Sequence, residues 1–588
     1  MKWITAPNAE EKFYQNHPEL PAIIARLLWN RDLRAQQQID EFLNPDYSQD
    51  IHDPFLFNDM AKAVKIINRA IVKQKNIVVY GDYDADGVCA SAILVNTLRK
   101  LGANNISAHI PHRETEGYGL NSDTVDELMA QKTDLIITCD CGISNYSQVK
   151  QAKKKGLEVI ITDHHTVGDK IPPADTIIHP KMPKEKYPDK TLCGGAVAFK
   201  LAQGLLKKHQ EKNTCLSDGQ THEGFEKWML DLVALSSIGD MVPLLGESRT
   251  LTRYGLVVLN KTQNLGLRKL FTIAGLCDEK GELKRKLDTH TVGWQIVPRL
   301  NAAGRMNHAN TAYNLLITTN EDEAQRLAEQ LNQNNIDRQK STDQLVSEAK
   351  KYIENTQQID QPIIFAFGSN WPVGLLGLIS GRLKDFYNRP VLALTQNNDE
   401  IVASGRSLAQ FNLIEALQTI PRFFSKFGGH PQACGLSLAD KSQLEDFKQE
   451  LIELARAKLD GQDMTAQINI EAEVNLEDVD WKLYDILQKF EPFGVGNEEP
   501  KYMARGLQIT NITPVGQDGK HLRLMVKHNN HVVRKTIGFG LGDVNRHPDD
   551  WKNNLRAGDI IDMVFAVSVN EWNGNRELQL TIEDIKKT

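Results

Sequence analysis

The sequence predicts an α/β protein: two α/β domains joined by a long helix, followed by a C-terminal β-barrel. Three observations carry this. Between 77 and 162, short apolar runs alternate with helix-like segments. A stretch free of Gly and Pro, Glu321 to Asn355, separates that pattern from a second one like it. From Ala466 onward the texture changes to short alternating strands with glycine turns.

Composition sets outer bounds. With 588 residues, 41% of them hydrophobic, the chain can bury more than one core, and two to four domains are expected. No apolar run approaches the roughly 20 residues of a membrane span. The start, MKWITAPNAEEKFYQ, lacks the apolar core of a signal peptide. A cytoplasmic protein with no membrane association is therefore expected. Seven cysteines, an odd number without CxxC spacing, suit reduced thiols better than a disulfide framework. A formal charge of -7 argues against coating nucleic acid by bulk electrostatics, so any affinity for it must come from local basic patches.

Residues 1–45, with LPAIIARLLWN and IDEFLNP at helical spacing, read as a helical cap on the first domain. That domain spans 46–320. Asn68 to Lys75 closes a helix, and Ile77, Val78 and Val79 form a buried strand. Asp82, Asp84 and Asp86 fall just past its C-terminal end, where open α/β sheets place ligands. Three carboxylates so close repel one another and raise each other's pKa unless a divalent cation compensates. A solvated acidic turn is the plainer reading of this stretch alone.

The pattern repeats. DLIIT (134–138) ends in Cys139, Asp140 and Cys141, and EVIIT (158–162) ends in Asp163, His164 and His165. Helix-like segments, Ala90 to Leu101 and Tyr146 to Lys155, lie between, so the strands should be parallel and share one rim. Phe225 to Leu244 has helical spacing and stops at Gly239, with Asp240 next. Asp82, Asp84, Asp140, His164 and Asp240 offer hard oxygens and one imidazole, a set for Mn²⁺ or Mg²⁺ rather than Zn²⁺. They outnumber the needs of one ion. Two ions about 3.5 to 4 Å apart, bridged by a carboxylate, form the arrangement that activates water for in-line attack on phosphorus. Cys139 and Cys141 flank Asp140, but alternate residues point to opposite sides, which disfavours a soft-metal site.

Pro111 to Asn121 reads as a polar loop over the strand ends, in which Arg113 could meet a phosphate and Tyr118 stack on a base. Leu192 to Leu205 opens with two glycines and becomes a helix, whose N-terminus could hold an anion or pack tightly against the metal domain. Pro298 to Met306 reads as a turn where Arg299 and Arg305 converge around Asn301. Guanidiniums there could grip phosphate or bridge two domains. Residues 321–355 form the connecting helix, its polar middle, Asn332 to Gln344, spanning a gap. The second α/β domain, 356–460, contains SGRS and KFGGHPQACG. Glycines Gly428 and Gly429 let amides approach an anion, and Ser404, Arg406 and His430 can complete a phosphate pocket. A buried structural His430 is the alternative.

Residues 466–588 carry six short strands and a basic cluster from Lys501 to Gly542 in which seven cations face one acid, Asp518. This suggests an OB-fold barrel, a common platform for single strands. His521, Arg523 and Trp572 are its candidate contacts, unless they only stabilise it.

GDYDADG, TCDCGIS, TDHH and LVALSSIGDMVPL, in this order, resemble the DHH phosphoesterase superfamily. PRLNAAGRM, SGRS, GGH, PFGVGN and NEW narrow the resemblance to its single-stranded-DNA exonucleases. It implies a DHH catalytic domain and a DHHA1-like substrate-binding domain with a cleft between them. The implied activity is 5′-to-3′ hydrolysis of single-stranded DNA to mononucleotides, in recombination and repair. The implied metal ligands for two Mn²⁺ or Mg²⁺ ions are Asp82, Asp84, Asp86, Asp140, His164 and Asp240. His165 would polarise or protonate a phosphate oxygen, with Asp163 orienting its neighbour. Arg113, Tyr118, Arg299, Asn301 and Arg305 fall on the substrate side, and Ser404, Arg406, Gly428, Gly429 and His430 seat the 5′ end. A helicase and a single-stranded-DNA-binding protein are implied as possible partners. Tyr80 and Pro372 stand where relatives often carry His. A small-substrate phosphodiesterase would share the metal site without needing a basic barrel, and a non-catalytic DNA-binding relative would usually have lost acids that are present here.

Overall fold

Five parallel strands build the first sheet of the computed structural model, which describes residues 1–588 except 398–399, 529–531, 544–548 and 573–574. They are β1 (Ile77–Tyr80), β2 (Ile106–His109), β3 (Leu135–Cys139), β4 (Glu158–Thr162) and β5 (Thr176–Ile178), in spatial order β2-β1-β3-β4-β5. Val79, Leu135 to Ile137 and Val159 to Ile161 are fully buried, as expected of a parallel sheet covered on both faces.

The helices that bear on the site are α1 (Met60–Val72), α2 (Ala85–Lys100), α3 (Ser122–Ala130), α4 (Tyr146–Lys154), α5 (Gly194–Gln210), α6 (Leu230–Gly239) and α7 (Val297–Met306). α2 starts five residues before the expected Ala90 because the Asp84 carboxylate caps it, accepting the amides of Asp86 and Gly87. Asp86 thereby sits in a helical turn. The expected helix from Phe225 to Leu244 is two helices, His222–Trp228 and α6, and Asp240 is the C-cap of the second. The segment read as a polar turn, Pro298 to Met306, is the helix α7, continuous with a π-helical turn at Val292–Ile296. Its proline occupies the first turn, where the missing N–H costs nothing.

Helix α8 (Glu321–Asn355) matches its expected bounds, capped by the Asn320 side chain. Its polar middle is packed rather than bare: Asn335 and Thr342 are buried, and Asn332 accepts a hydrogen bond from Arg299. Helix α9 (Val373–Tyr387) follows Pro372, which serves as its N-cap. The second sheet contains β6 (Ile364–Ser369), β7 (Val391–Asn397), β8 (Glu400–Arg406), β9 (Phe424–His430) and β10 (Ala433–Leu438), in order β9-β10-β8-β7-β6. Only β6 and β7 pair in parallel. KFGGHPQACG, expected as a glycine loop, is the β9–β10 hairpin, with Gly428 opposite Gly435 and Gly429 opposite Cys434. All of this lies in one compact unit, Ile51–Val242 with Leu251–Met464.

The other unit is Met1–Asp50, Pro243–Thr250 and Thr465–Thr588. Its barrel consists of β11 (Tyr502–Val515), β12 (His521–Lys527), β13 (Val533–Gly538), β14 (Ile560–Trp572) and β15 (Asn575–Lys587). These pair as β11-β12-β13-β15-β14, and β14 returns to β11 to close the barrel. Residues 1–45, read as a cap on the first domain, group instead with this barrel. Lys2–Thr5 pairs in parallel with Gln467–Ile470, and Phe13, Leu28 and Phe42 share a core with Leu487, Phe490 and Phe565. Local periodicity finds such helices but not the surface they cover.

Candidate metal centre

Three strands of the first sheet, β1, β3 and β4, end in turns that lift candidate ligands onto the rim. After β1, Gly87 closes on Asp82, and a Cβ at Gly87 would stand 2.6 Å from the Asp82 Cβ. After β3, Asp140 takes a left-handed backbone, φ 60°, a conformation that Asp tolerates better than most residues. Its N–H still donates to Thr162 O, so the turn stays in register with β4. After β4 come Asp163, His164 and His165.

These side chains converge. His164 Nε2 lies 3.1 Å from Asp140 Oδ1, 3.5 Å from Asp240 Oδ2 and 3.7 Å from Asp86 Oδ2. Three sets each gather within 4.8 Å: Asp82, Asp84 and Asp140; Asp86, His164 and Asp240; and Asp140, His164 and His165. Asp140 joins the first set to the third, the position of a bridging carboxylate. Asp82 Oδ1, Asp140 Oδ1 and His164 Nε2 are buried with no hydrogen-bond partner. Buried polar atoms normally find partners, so lone-pair donors left bare in these adjoining sets mark a place for cations.

The electrostatics agree. Burial, then the neighbouring carboxylates, push Asp82 and Asp140 far above the usual carboxylate range, and Asp240 to about 8. Burial pushes His164 down to about 3, leaving a neutral imidazole able to ligate. A bound cation relieves this crowding. The set of hard oxygens with one imidazole fits Mn²⁺ or Mg²⁺. The thiols do not compete: burial pushes Cys139 up to about 12 and Cys141 well above the usual thiol range, so both stay protonated.

Asp86 differs from its companions. Its carboxylate accepts the amides of Gly194, at 2.8 Å, and Gly195, at 2.6 Å, together with the Ser236 hydroxyl. The glycine pair at the start of α5 therefore both packs against the metal domain and holds an anion, and the anion is internal. A Cβ at Gly194 would lie 2.5 Å from the Asp140 Cβ, and one at Gly195 2.1 Å from Ser236 Oγ. Asp86 remains near the cage, but its oxygens are committed to fastening α5 there.

Asp163 and His165 form a coupled pair. The Asp163 carboxylate accepts from Ile143 N, His164 N, His165 N and His165 Nδ1, the last at 2.8 Å. Burial would raise its pKa, but the bond to His165 and the amides outweigh it and hold the carboxyl well below the usual range. Burial likewise opposes charge on His165, and the Asp163 bond overrides it, raising the imidazole to about 9. His165 is thus a cation at neutral pH with Nδ1 engaged and Nε2 left for another partner.

Tyr118 stands beside this pair. Its hydroxyl donates to Asp140 O at 3.1 Å and lies 3.0 Å from His165 Nδ1, while the residue is 39% exposed. Tyr80 is buried behind, stacked on His109, its hydroxyl donating to Gly119 O of the same loop.

A guanidinium cluster adjoins the cage. Arg113 covers the Tyr83 ring at 4.5 Å. Half-buried Arg305 is pushed down to about 9 by desolvation, then by Arg113, Arg338 and Arg406, with Asp84 opposing. Arg406 is anchored on Gly405 O and near Ser404 Oγ, and Ser404 Oγ donates to Cys434 O. His430 brings its ring to 6.5 Å from that of His165. In the hairpin, Gly429 has φ 142°, and a Cβ there would meet Ala433 O at 2.2 Å, so glycine is required by the fold. Gly428 faces open space.

Two expected substrate contacts make internal hydrogen bonds. Arg299 donates to Asn332 Oδ1 of α8 and to Gln295 O, while its charge reaches Arg338 of the cluster. Asn301 Oδ1 accepts the Ala85 N–H at 2.7 Å, supporting the start of α2. Helical spacing around α7 sends these side chains in different directions, which a reading as a turn could not show. Arg338 was missed. Its signal was the stripe Asn335, Arg338, Thr342, polar residues at helical spacing within a connector.

The basic cluster on the barrel is smaller than its sequence suggests. Lys501 pairs with Glu583, Arg505 with Glu473 and Asp562, and Lys535 with Glu577, while Arg534 donates to Leu476 O and Val479 O. Among the described residues Lys520, Arg523, Lys527 and Arg534 have no ion pair, Arg534 being held by carbonyls, and Arg523 is exposed on β12. His521 accepts the Gly540 N–H and packs against Phe539, a structural role. The side chain of Trp572 lies outside the described residues.

Carboxylates and a histidine caged on the rim of a parallel sheet, in one unit with a second α/β sheet, define a DHH phosphoesterase. Residues 76–236 match the DHH family, N-terminal domain, and 360–457 the DHHA1 domain. Residues 470–584 match the RecJ OB domain. The chain is 32% identical over 588 residues to the single-stranded-DNA-specific exonuclease RecJ of Bacillus subtilis, covering 99% of this chain and 70% of that one. With RecJ of Escherichia coli it shares 30% over 96% of each. Its structure is similar to that of RecJ from Thermus thermophilus in complex with Mn²⁺, with TM-score 0.81 and 26% identity, covering 100% of this chain and 80% of the other. The chain belongs to the RecJ family.

Proposed function

We propose that this protein is a metal-dependent exodeoxyribonuclease that hydrolyses single-stranded DNA from the 5′ end, releasing mononucleotides, in DNA recombination and repair. One observation carries the reading: Asp82 Oδ1, Asp140 Oδ1 and His164 Nε2, all buried and unpartnered, belong to candidate ligand sets that share Asp140, beside a cluster of guanidiniums. Asp82, Asp84 and Asp140 would hold one Mn²⁺ or Mg²⁺, and His164, with Asp140 and Asp240 3.1 and 3.5 Å from its Nε2 and Asp86 at their edge, would serve a second. Bound there, such ions acidify water and offset charge developing on phosphorus.

The chain's own groups do the rest. His165, kept cationic by Asp163, donates to a phosphate oxygen. Tyr118 fixes the Asp140 backbone and offers its exposed ring to a base. Arg113, Arg305, Arg338 and Arg406 grip phosphates, and Ser404 and His430 seat the 5′ end. Seating the chain end makes the enzyme an exonuclease. Lys520, Arg523 and Lys527 give the barrel a modest track for the strand. No helix among the described residues is long and apolar enough to cross a membrane. We place the enzyme in the cytoplasm, working on strands opened by a helicase and covered by a single-stranded-DNA-binding protein.

The test is digestion of 5′-labelled and 3′-labelled oligonucleotides, single- and double-stranded, with Mn²⁺. Labelled mononucleotide should appear first from 5′-labelled single strands. Preference for dinucleotides over long strands would overturn the reading in favour of a small-substrate phosphodiesterase.

A further inference from the structure

The π-helical turn Val292–Ile296 carries Trp294, which is 72% exposed, its ring stacked on His290 with centroids 6.0 Å apart and planes at 30°. An indole so exposed has surrendered the burial that normally stabilises it, and π-turns recur at functional positions. Its neighbours place it. Val297, one turn later in the same helical run, touches Gly239, and Gly293 approaches Ile238. Both contacts lie on the end of α6, directly before the ligand Asp240. The next residue, Met241, is 69% exposed with φ 57°, which turns it outward. Exposed Lys181 donates to His164 O and lies within electrostatic reach of both Asp240 and His430. Upstream in the chain, Lys284, Arg285 and Lys286 form an exposed basic run.

The guanidinium seat lies beside Asp82, Asp84 and His165, whereas Trp294 stands by the end of α6 that carries Asp240. A strand whose 5′ end occupies that seat and whose first phosphodiester lies over the cage must leave across Asp240. There it meets Met241, Trp294 and cations, an aromatic face among positive charges, which is the chemistry that holds unpaired nucleotides. We infer that Trp294, supported by His290 and flanked by Met241, is a base-stacking platform for the nucleotides on the 3′ side of the scissile phosphate. This rests on the proposed activity. Its physical role is to keep the strand extended as it is drawn toward the cage, by a contact every base can make.

The experiment compares wild type, Trp294→Ala and Trp294→Phe on two Mn²⁺-dependent substrates. One is a long single strand, and the other is the same strand made abasic beyond its first nucleotides. On the normal strand Trp294→Ala should raise KM roughly 5- to 150-fold, the range of base–aromatic stacking, and Trp294→Phe should restore most of the loss. On the abasic strand the ratio of variant to wild type should fall close to one. A structural defect would raise KM equally on both strands, and that result, or an unchanged KM on the normal strand, overturns the platform. Should wild type release no nucleotide from any single strand, the proposed activity itself has failed, and the platform with it.

Discussion

Gly194→Ala sets a favourable local effect against an unfavourable tertiary one. At an ordinary helical position the change would stabilise by about 1 kcal/mol, through propensity alone. Here the new methyl would stand 2.5 Å from the Asp140 Cβ and Oδ1 and 2.6 Å from its Cγ, whereas ordinary contact begins near 3.4 Å. The gap to be opened is therefore 3.4 − 2.5, or 0.9 Å. The atoms in the way are the root of a short buried side chain, which cannot swing aside. Overpacking of this kind costs about 1–3 kcal/mol. A displacement near 1 Å in a catalytic group costs on the order of 100-fold in rate. The expected result is a small net loss of stability with about 100-fold less nucleotide release and weaker Mn²⁺ binding by calorimetry. Wild-type Mn²⁺ affinity and turnover in a folded Gly194→Ala protein would show that Asp140 does not depend on the close approach of α5.

Three further outcomes follow from the same geometry. Asp140→Ala should abolish Mn²⁺-dependent nucleotide release while leaving single-strand binding by gel shift largely intact, because the guanidinium cluster is untouched. Arg338→Gln should raise KM for single strands about 5- to 10-fold and lower the slope of log KM against log salt by about 1, as loss of one phosphate contact requires. Buried Asp231, which accepts from Thr262 Oγ1, is raised by burial from 3.8 to about 6. The folded state then holds its proton more tightly than the unfolded chain, so stability is full below pH 3.8 and falls as pH rises through 6. Above that the loss approaches 2.2 pK units, about 3 kcal/mol. Asp231→Asn should thus stabilise the protein in chemical denaturation, by more at pH 8 than at pH 5, and an equal gain at both would refute this.

The strand-end ligands were legible because a parallel sheet writes itself plainly. Ile77 to Val79, Leu135 to Ile137 and Val159 to Ile161 are continuous apolar runs, and the polar residue that stops each one must stand on the rim. Asp240 was legible by the same logic on a helix. Where two interpretations share a composition, the sequence was mute. Pro298, Asn301 and Gly304 punctuate a turn in most settings, yet here they belong to α7, where Gly304 lets the helix close to 2.7 Å, Cβ-equivalent to Tyr83 O. Gly428 and Gly429 suggested a loop, and they are paired residues of a hairpin. The seven cations of the barrel looked unopposed because Glu473, Asp562, Glu577 and Glu583, which pair with several of them, lie outside the cluster.

The cage itself raises a problem of assembly, since five acids must be held together before any cation arrives. Four distant segments answer it by gripping the backbone or an outlying carboxylate rather than the bare ligand atoms. Gly194 and Gly195 donate to Asp86, Asn301 accepts from Ala85, Tyr118 donates to Asp140 O, and Lys181 donates to His164 O. The ligand oxygens stay open while their positions are fixed. One consequence concerns substrate. A helix N-terminus with two glycines is a ready phosphate site, but at α5 the Asp86 carboxylate already occupies it. Phosphate recognition therefore falls to side chains, and the guanidiniums of Arg113, Arg305, Arg338 and Arg406 are the groups in place to supply it.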